Sequence, residues 1–311
     1  MNEAARPGLR LVADIGGTNV RFALARPGGD PEAVCAYRVA DHATFGDALD
    51  RYRSETGSPT PDEVAIGAAG PVDGGTVTLT NAPWTLAEEA LSARLSGASV
   101  RIVNDLEAVA HALPHLVTVD LTPIGTGAFP PDPRRPMLAV NIGTGFGAAS
   151  IAPTRRGFVA RSSEPGHMTL APLGDAEATV FQDRATIEDV LSGRGIADLY
   201  RRLAAAGAPA LGADQVVAAA GDNADAARTL AIAGTLLGRI AGDLGLATGA
   251  WGGCLLCGSV AAGWAGVGDH DAFRAAFERK GPMTPRMAHV YTGLITRGDV
   301  ALLGLARMPM D

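Results

Sequence analysis

Residues 11–24, LVADIGGTNVRFAL, place one carboxylate and a donor-rich turn between two apolar runs. The two glycines lack a Cβ atom, so the backbone can approach a ligand closely and present consecutive N–H groups, an arrangement that binds phosphate. Asp14 cannot contact a phosphate directly, because like charges repel, but it can hold the waters of a Mg²⁺ ion that bridges phosphates. The stretch predicts a nucleotide and metal site; a plain β-hairpin with an aspartate at its mouth is the alternative. The candidate groups are Asp14, Gly16, Gly17, Thr18, Asn19 and Arg21.

A second stretch repeats this plan. LAVNIGTGFGAASIA, which begins at Leu138, has an apolar strand, a polar residue, Ile-Gly, a small polar turn and a second apolar strand, as LVADIGGTNVRFALA does from Leu11. We interpret the pair as a duplicated strand-turn-strand unit, one copy per lobe. The second turn, with Gly143, Thr144 and Gly145, offers a similar set of donors. Together the two turns would hold a triphosphate from both sides.

The stretch VRIVNDLEAVAHALP predicts a strand over residues 100–103 that ends in Asn104 and Asp105, followed by a helix. Phosphoryl transfer to a hydroxyl group requires a carboxylate near the attacking oxygen and little other covalent work from the protein. Asp105 is therefore a candidate general base. The alternative is an N-cap, since asparagine and aspartate are common at that position.

The stretch RSSEPGHMTLAP holds Glu164 and His167 three residues apart on a predicted turn. A carboxylate and an imidazole held together in this way can bind neighbouring hydroxyl groups of a polyol. Glu188, in IEDVLSGRG, is a further candidate, on a predicted helix. A structural or solvated role is the alternative for each of these side chains.

Composition limits the classes of function. The chain has 311 residues, 47% of them hydrophobic, and a net charge of −7, which favours a globular protein of one large or two smaller domains and disfavours a general nucleic-acid binder. Neither a signal-peptide pattern nor a membrane span is predicted. The three cysteines, an odd and small number, favour a reducing cytoplasm. Cys254 and Cys257, in the predicted strand of WGGCLLCGSV, are interpreted as core residues rather than as a redox or zinc site.

The hydrophobic pattern predicts an α/β protein with two lobes. Strands are predicted near residues 9–15, 20–25, 63–69, 75–79, 100–103, 138–142, 147–152 and 253–257. Helices are predicted near residues 44–55, 85–96, 106–112, 175–184, 186–191, 195–205, 223–248, 269–279 and 299–307. A proline-rich surface loop is predicted over residues 125–137.

In this order, the motifs resemble those of the bacterial glucokinases of the hexokinase/actin-like ATPase superfamily, from Leu11 to about Leu305. The matching stretches are DIGGTNVRFAL, GPVDGGTVTLTNAPW, RIVNDLEAVAHALP, NIGTGFGAASI, EPGHMTLAP, EDVLSGRGIADLY, WGGCLLCGSVA and FRAAFERKGPM. The resemblance implies a two-lobed, ribonuclease H-like α/β fold with a cleft between its domains. The small domain would comprise residues 1–113 plus about 297–311, and the large domain residues 114–296.

The resemblance also implies an activity: ATP-dependent phosphorylation of D-glucose to glucose 6-phosphate with Mg²⁺, by a cytoplasmic homodimer. Asp105 falls on the position of the base, and Asp14 on that of the residue serving Mg²⁺. Gly258, in CGSVA, falls where the nucleotide base lies close. The positions that hold the glucose hydroxyls correspond to Asn104, Asp105, Glu164, His167 and Glu188.

Two departures concern the nucleotide and metal sites. Ser259 stands where a second glycine is common, and Cys254 and Cys257 stand where many relatives have aliphatic or small residues, which leaves the contact to the nucleotide base open. The stretch that follows His167, MTLAPLGDAEATVF, has no cysteine. It therefore lacks the zinc motif of the ROK branch of the superfamily, and no zinc is expected.

Three rival functions remain for the sequence. The first is a kinase for another hexose, such as fructose, mannose or glucosamine, and ADP or polyphosphate stays open as the donor. The second is a non-catalytic sugar sensor, although the short segment before the first strand leaves no room for a DNA-binding helix-turn-helix. The third is an actin-like ATPase without a sugar substrate, in which the predicted sugar-binding residues would have no purpose.

Overall fold

The computed structural model describes residues 8–79, 82–125 and 130–310. Within these residues the strands are β1 (Arg10–Ile15), β2 (Asn19–Ala25), β3 (Glu32–Arg38), β4 (Glu63–Ala68), β5 (Val72–Asp73), β6 (Thr76–Thr78), β7 (Thr85–Ala87), β8 (Ser99–Asn104), β9 (Leu121–Pro123), β10 (Met137–Ile142), β11 (Phe146–Thr154), β12 (Gly157–Ser163), β13 (Gly253–Cys257) and β14 (Thr292–Ile295).

The α-helices of the same residues are α1 (Phe45–Thr56), α2 (Glu88–Arg94), α3 (Asp105–Ala112), α4 (Asp175–Val180), α5 (Gly193–Leu203), α6 (Ala213–Ala219), α7 (Ala224–Thr248), α8 (Ser259–Val267), α9 (His270–Glu278), α10 (Thr284–Met287) and α11 (Val300–Arg307). The chain divides into two compact units. The first unit comprises the chain up to Leu113, residues 156–160 and the segment from Gly298 onward; the second comprises Pro114–Arg155 and Arg161–Arg297.

Two large sheets share a five-strand topology, to which the second sheet adds β9 as an antiparallel edge strand. Their strand orders are β3-β2-β1-β4-β8 and β12-β11-β10-β13-β14-β9, and a smaller sheet has the order β5-β6-β7. In each large sheet an antiparallel hairpin, β1/β2 or β10/β11, adjoins two further strands parallel to its first strand. Both donor-rich stretches therefore fold as hairpins, as the repeated sequence pattern predicts. The carboxyl ends of the parallel strands meet at one edge of each sheet, where polar residues can collect.

The structure corrects the sequence prediction in two places. The helix predicted over residues 186–191 does not form, because the Asp189 carboxylate accepts the backbone N–H groups of Ala185 and Thr186 in a turn. The helix predicted over residues 85–96 begins only at Glu88, because residues 85–87 pair with β6. The pattern also missed the strands β3, β5, β9, β12 and β14 and the helices α6, α8 and α10. Of the predicted surface loop, residues 126–129 lie outside the described residues.

The two cysteines of the CLLC stretch are core residues, as predicted. Cys254 and Cys257 are both buried on β13, and neither forms a disulfide. Burial raises the pKa of the Cys254 thiol to about 12. The thiol is therefore protonated and unreactive at neutral pH.

The longest helix, α7, is apolar enough by length and composition to cross a membrane, but 61% of its most apolar window is buried inside the protein. Two of its glycines allow α9 to approach closely: a Cβ atom on Gly238 would overlap the carbonyl oxygen of Phe273, and one on Gly242 would lie 2.5 Å from that of Phe277. Because α9 packs closely against these glycines, α7 is a core helix of the second unit.

A buried arginine ties the C-terminal helix to the first sheet. Arg10, on β1, is 4% exposed. Its Nη1 atom lies 2.8 to 3.0 Å from the carbonyl oxygens of Leu305, Ala306 and Met308, and its Nη2 atom lies 2.7 Å from the Glu63 carboxylate. The cation thus supplies donors to the last carbonyl groups of α11, and the Gly28 N–H group also donates to that of Ala306, 3.0 Å.

We expect Arg10→Ala to lower the free energy of unfolding by about 3 kcal/mol or more, because it leaves Glu63 and several carbonyl groups without their buried partner. The control is Arg51→Ala, which breaks the exposed pair with Glu55 and should cost less than about 1 kcal/mol. Urea unfolding followed by circular dichroism measures both. Equal losses would show that the buried contacts of Arg10 contribute no more than a surface ion pair.

Candidate active site

The first turn begins at the carboxyl end of β1. Asp14 is the penultimate residue of that strand, is partly buried, and lies directly opposite Arg21 of β2. Residues 16–19 are exposed, and the turn is closed by a hydrogen bond from the Gly16 N–H group to the Asn19 carbonyl oxygen, 2.9 Å. The Arg21 guanidinium donates to the carbonyl oxygen of Gly298, 2.8 Å. An exposed turn that follows a carboxylate is the arrangement that the sequence predicts for a phosphate and metal site.

The second carboxylate of this unit begins α3. β8 is parallel to β4, as β4 is to β1, so β1 and β8 end at the same edge of the sheet. Asn104 is the N-cap: its Oδ1 atom accepts the N–H group of Leu106, 2.9 Å, and that of Glu107, 3.4 Å. Asp105 is therefore the first residue of the helix and not its N-cap, and its Oδ1 atom also accepts the Leu106 N–H group, 2.8 Å.

The capping hydrogen bonds limit which atoms of Asn104 and Asp105 can contact a ligand. Because the oxygen of Asn104 caps the helix, its NH₂ group is the part of the amide that can donate to a ligand. Asp105 lies at a helix N-terminus, a favourable position for a negative charge. One of its two oxygens is oriented by the helix itself, which limits the rotation of the carboxylate.

Two glycines that were not predicted as site residues, Gly67 and Gly304, allow α3 to pack closely against its neighbours. A Cβ atom on Gly67 of β4 would lie 3.1 Å from the Cβ atom of Ala108 and 3.7 Å from the Cα atom of Asp105. A Cβ atom on Gly304 of α11 would overlap the carbonyl oxygen of Ala108. Small residues on both sides allow α3 to lie against the sheet and α11 at once. These two positions are hard to recognise from the sequence, because only the contacts distinguish them from the 38 other glycines.

Asp14 and Asp105 interact electrostatically. Burial raises the pKa of Asp14 to about 6, the charge of Arg21 opposes that shift, and the charge of Asp105 adds to it. A cation held there would offset both negative charges. Among the described residues there is no group of three or more His, Cys, Asp or Glu side chains arranged for a metal. One or two carboxylates fit Mg²⁺, which keeps several water ligands, better than an ion that requires a full protein cage.

The second turn, in the second unit, is held from two sides. The Gly143 N–H group donates to the Gly145 carbonyl oxygen, 3.0 Å, and the Gly143 carbonyl accepts the Gly193 N–H group at the start of α5, 2.8 Å. Beside the turn lies a cavity of about 470 Å³, whose lining includes Thr144, Ser259 and Asp214. A donor-rich turn next to a cavity of this size can take a phosphate and the body of a nucleotide.

Gly258 joins β13 to α8 at the edge of this cavity. Its φ of +94° is unfavourable for other residues. A Cβ atom there would overlap the Asn141 side chain and the Ile142 carbonyl oxygen at the end of β10. The fold itself therefore requires glycine at this position, a reason separate from the predicted contact with a nucleotide base. Ser259, which departs from the family pattern, lines the cavity.

The Glu188 carboxylate connects the second turn with the Glu164–His167 turn. Its Oε2 atom accepts the backbone N–H group of Phe146, 2.9 Å. A Cβ atom on Gly145 would lie 2.6 Å from the same oxygen, and one on Gly166 would lie 3.3 Å from it. The Glu188 N–H group in turn donates to the Gly166 carbonyl oxygen, 2.9 Å.

The two other candidates lie on the turn that Glu188 contacts. Glu164 and His167 are exposed and flank Pro165 and Gly166, which are buried. The turn is closed by the His167 N–H group, which donates to the Glu164 carbonyl oxygen, 3.2 Å. Glu188 is thus part of an irregular segment packed on this turn, rather than a solvated charge on a helix. The predicted site residues form one group in each unit.

Comparison with known proteins identifies the family. The family model described as Glucokinase matches residues 11–311. The glucokinase of Caulobacter vibrioides strain NA1000 is 34% identical over 96% of this chain and 94% of its own length, and that of Sinorhizobium medicae strain WSM419 is 35% identical over 97% and 93%. The chain belongs to the glucokinase family. The crystal structure of a glucokinase from an Antarctic psychrotroph is similar with a TM-score of 0.84 and 31% identity, over 96% of this chain and 97% of that one.

Membership in the glucokinase family confirms the resemblance in the sequence and the fold class. The two sheets with a shared strand order belong to the actin-like ATPase fold of these kinases. The family also identifies the chain as a glucose kinase that uses ATP. The individual roles of Asp14, Asp105 and the glycine turns stay predictions.

We expect Asp14→Asn to increase the free energy of unfolding by about 2–3 kcal/mol at pH 8 in buffer without Mg²⁺ or nucleotide, because a pKa raised to about 6 means that the ionised carboxylate is unfavourable in the folded state. Below pH 6 the wild-type side chain takes up a proton, and the difference should disappear near pH 4. The same substitution should abolish most turnover.

Asp73→Asn, at an exposed carboxylate of the same unit, is the matched control and should stay within about 0.5 kcal/mol of wild type. Urea unfolding at pH 8 and pH 4 measures all three proteins. A variant at Asp14 that is no more stable than wild type at pH 8 would contradict the electrostatic cost assigned to this carboxylate.

We expect Gly258→Ala to lower the melting temperature and to impair nucleotide binding, because its Cβ atom would overlap Asn141 and Ile142 at a strained φ; the cost is about 1–3 kcal/mol or more. Gly266→Ala, in the same helix α8, is the control: its Cβ atom meets nothing within 4 Å, and the change should be neutral or stabilising by up to about 1 kcal/mol. Thermal unfolding compares the two. Similar melting temperatures would exclude the overlap.

Proposed function

We propose that this glucose kinase uses Asp105 as the base that accepts the proton of the sugar 6-hydroxyl. As the proton leaves, the oxygen attacks the γ-phosphorus of ATP, the bond from that phosphorus to the β,γ-bridging oxygen breaks, and ADP departs. The observation that carries the proposal is the position of Asp105 at the first turn of α3, beside Asp14, at the carboxyl edge of three parallel strands.

The glycine turns are proposed as the phosphate sites. The turn at Gly16–Asn19 is exposed and follows β1, and the turn at Gly143–Gly145 adjoins the cavity of about 470 Å³. Backbone N–H groups stabilise phosphate without a net positive surface, which suits a chain with a net charge of −7. The cavity beside Thr144 and Ser259 would take the nucleoside, with Gly258 at its edge.

Asp14 is proposed to hold Mg²⁺ through water ligands. The fit rests on its buried carboxylate beside Asp105 and on the raised pKa of about 6, both of which a cation would counteract. When bound, Mg²⁺ supplies positive charge to the terminal phosphates. Asp14 itself orients that ion and leaves Asp105 as the proton acceptor.

The sugar hydroxyls are assigned to five side chains of stated chemistry. The Asn104 NH₂ group donates, the carboxylates of Glu164 and Glu188 accept, and the His167 imidazole does either. Glu188 has one oxygen bound to the Phe146 N–H group and the other 3.6 Å from the Arg194 guanidinium. Those two contacts fix the plane of its carboxylate. Asp105 is the fifth group and contacts the hydroxyl that reacts.

The kinase is proposed to have a small domain of residues 1–113 plus about 297–311 and a large domain of residues 114–296. These bounds differ from those of the two compact units mainly at residues 156–160, which belong to the first unit. A cytoplasmic location is proposed because all three cysteines are free thiols. The homodimer stays a prediction from the family, to be measured by sedimentation.

We expect Asp105→Ala and Asp105→Asn to lower kcat by about 10²- to 10⁴-fold while glucose still binds, because the base is lost and most hydroxyl contacts remain. Glu107→Gln, two residues further along α3, is the control for removing a carboxylate from this helix and should retain most of its turnover. Coupled ADP-release assays give kcat, and calorimetry gives the dissociation constant of glucose. Turnover by Asp105→Ala near the wild-type rate would remove Asp105 from the mechanism.

The substrate proposal is tested by ADP release from Mg-ATP with glucose, fructose, mannose, galactose, glucosamine and N-acetylmannosamine. A preference for glucose of tenfold or more in kcat/KM is expected. A higher value for another sugar would overturn the proposed substrate and leave the role of Asp105 intact. If no sugar supports turnover, ADP and polyphosphate are tested as donors.

A further inference from the structure

A second cavity lies at the opposite end of the second unit's sheet. It has a volume of about 460 Å³, and its lining includes residues that precede three strands: Asp132 and Arg135 before β10, Trp251 before β13, and Tyr291 before β14. The glycine turn and Gly258 follow β10 and β13 at their carboxyl ends. Since β13 has five residues, about 17 Å of strand separates the two cavities.

The charged side chains around this second cavity are two arginines and one aspartate, although the whole chain is acidic. Arg135, Arg286 and His289 line it, with Asp132 as the carboxylate. Asp132 is already bound: its Oδ1 atom accepts the Arg134 Nε–H group, 2.9 Å, and its Oδ2 atom lies 3.4 Å from Arg135. One carboxylate between two arginines leaves an excess of positive charge beside the cavity.

Arg286 is the group best suited to bind an anion. Its guanidinium lies over the Trp251 ring, 3.8 Å from Cζ to the ring centroid. Stacking uses the face of the guanidinium and leaves its N–H edges available as donors in a fixed plane. The ion pairs found among the described residues include none for Arg286, so its charge is not neutralised there by a carboxylate.

The cavity walls are held in place by backbone contacts. The Gly252 N–H group donates to the Pro136 carbonyl oxygen, 2.8 Å, and the Asp132 N–H group donates to the Gly252 carbonyl oxygen, 2.9 Å. A Cβ atom on Gly252 would overlap the Asp132 carbonyl oxygen. The loop before β10 is thus fixed against the start of β13. A ligand would meet these walls already formed, which reduces the entropy lost on binding.

We infer that this cavity, here called the basal cavity, binds a phosphate monoester carried on a sugar or nucleoside ring. Arginine binds phosphate oxygens with two parallel N–H donors, and Arg286 and Arg135 provide such donors on the walls. The volume is larger than a bare phosphate requires and lies in the range of small-molecule sites, about 300 to 1,000 Å³. Trp251, which is partly exposed, supplies apolar surface for the ring. The inference does not depend on the proposed roles of Asp14 and Asp105.

The test is calorimetry of the full chain saturated with glucose and a non-hydrolysable ATP analogue, which keeps titrants from the catalytic site. Glucose 6-phosphate, AMP, inorganic phosphate and fructose are titrated separately. We expect glucose 6-phosphate or AMP to bind more tightly than inorganic phosphate, and fructose not to bind. Arg286→Gln and Arg135→Gln should each weaken binding by tenfold or more.

Arg134→Gln is the matched control, because Arg134 is on the same loop but does not line the cavity. Because it removes only an exposed ion pair with Asp132, it should change the affinity by less than about fivefold. Absence of binding to wild type, or equal losses in the Arg134 and Arg286 variants, would overturn the inference. The inference would also be overturned if sedimentation showed that Arg286→Gln dissociates an oligomer while phosphate binding is unchanged. The surface would then be a contact between copies of the chain. The Arg286 side chain is exposed, so its replacement should leave the melting temperature unchanged.

Discussion

The close seating of α3 between the first sheet and α11 is the constraint on which the proposed chemistry depends. Gly67 on one side and Gly304 on the other leave room for Ala108, and no larger side chain fits at Gly304 without moving a helix. The position of Asp105 at the start of α3 follows from this packing and from the Asn104 cap. Arg10 acts at the far end of the same arrangement, where it holds the last carbonyl groups of α11.

The same packing places two carboxylates near each other, at a cost in stability. Asp14 is partly buried, and its ionised form is disfavoured by burial more than Arg21 compensates. Such a charge is retained when a ligand or metal offsets it, and functional sites are where raised pKa values collect. If Asp14 holds a cation as proposed, binding would recover the stability lost in the free protein, because a cation bound only to the folded state stabilises it.

The two units use one hairpin plan for different purposes. Asp14 in β1 and Asn141 in β10 occupy corresponding positions, but only the first carries a charge. Asn141 lies against Gly258, and its Oδ1 atom accepts the Cys257 thiol at 3.8 Å. In the second unit, Asn141 therefore packs against neighbouring residues. The carboxylate beside that turn, Glu188, comes from a segment outside the hairpin. The repeated backbone thus carries a carboxylate at this position in one unit and a neutral amide in the other.

The sequence by itself determined the family, and it predicted the chemistry of the turns. Donor-rich turns, helix periodicity and the order of motifs are properties of residues close together in the chain, and they predicted both hairpins, most helices and the candidate residues. The details that fix the site come from contacts distant in sequence. Glu188 binds the N–H group of Phe146, 42 residues earlier in the chain, and this contact places its carboxylate against the second glycine turn.

Only the tertiary structure decided which of two adjacent polar residues caps α3, because Asn104 and Asp105 are both good caps and the choice depends on where β8 ends. It also distinguished Gly67, Gly258 and Gly304 from the other glycines. A glycine is required only where another atom occupies the space of its Cβ, or where φ is positive, and neither condition can be read from local sequence. Local patterns set what each segment can form, whereas packing between distant segments sets the position of each functional group.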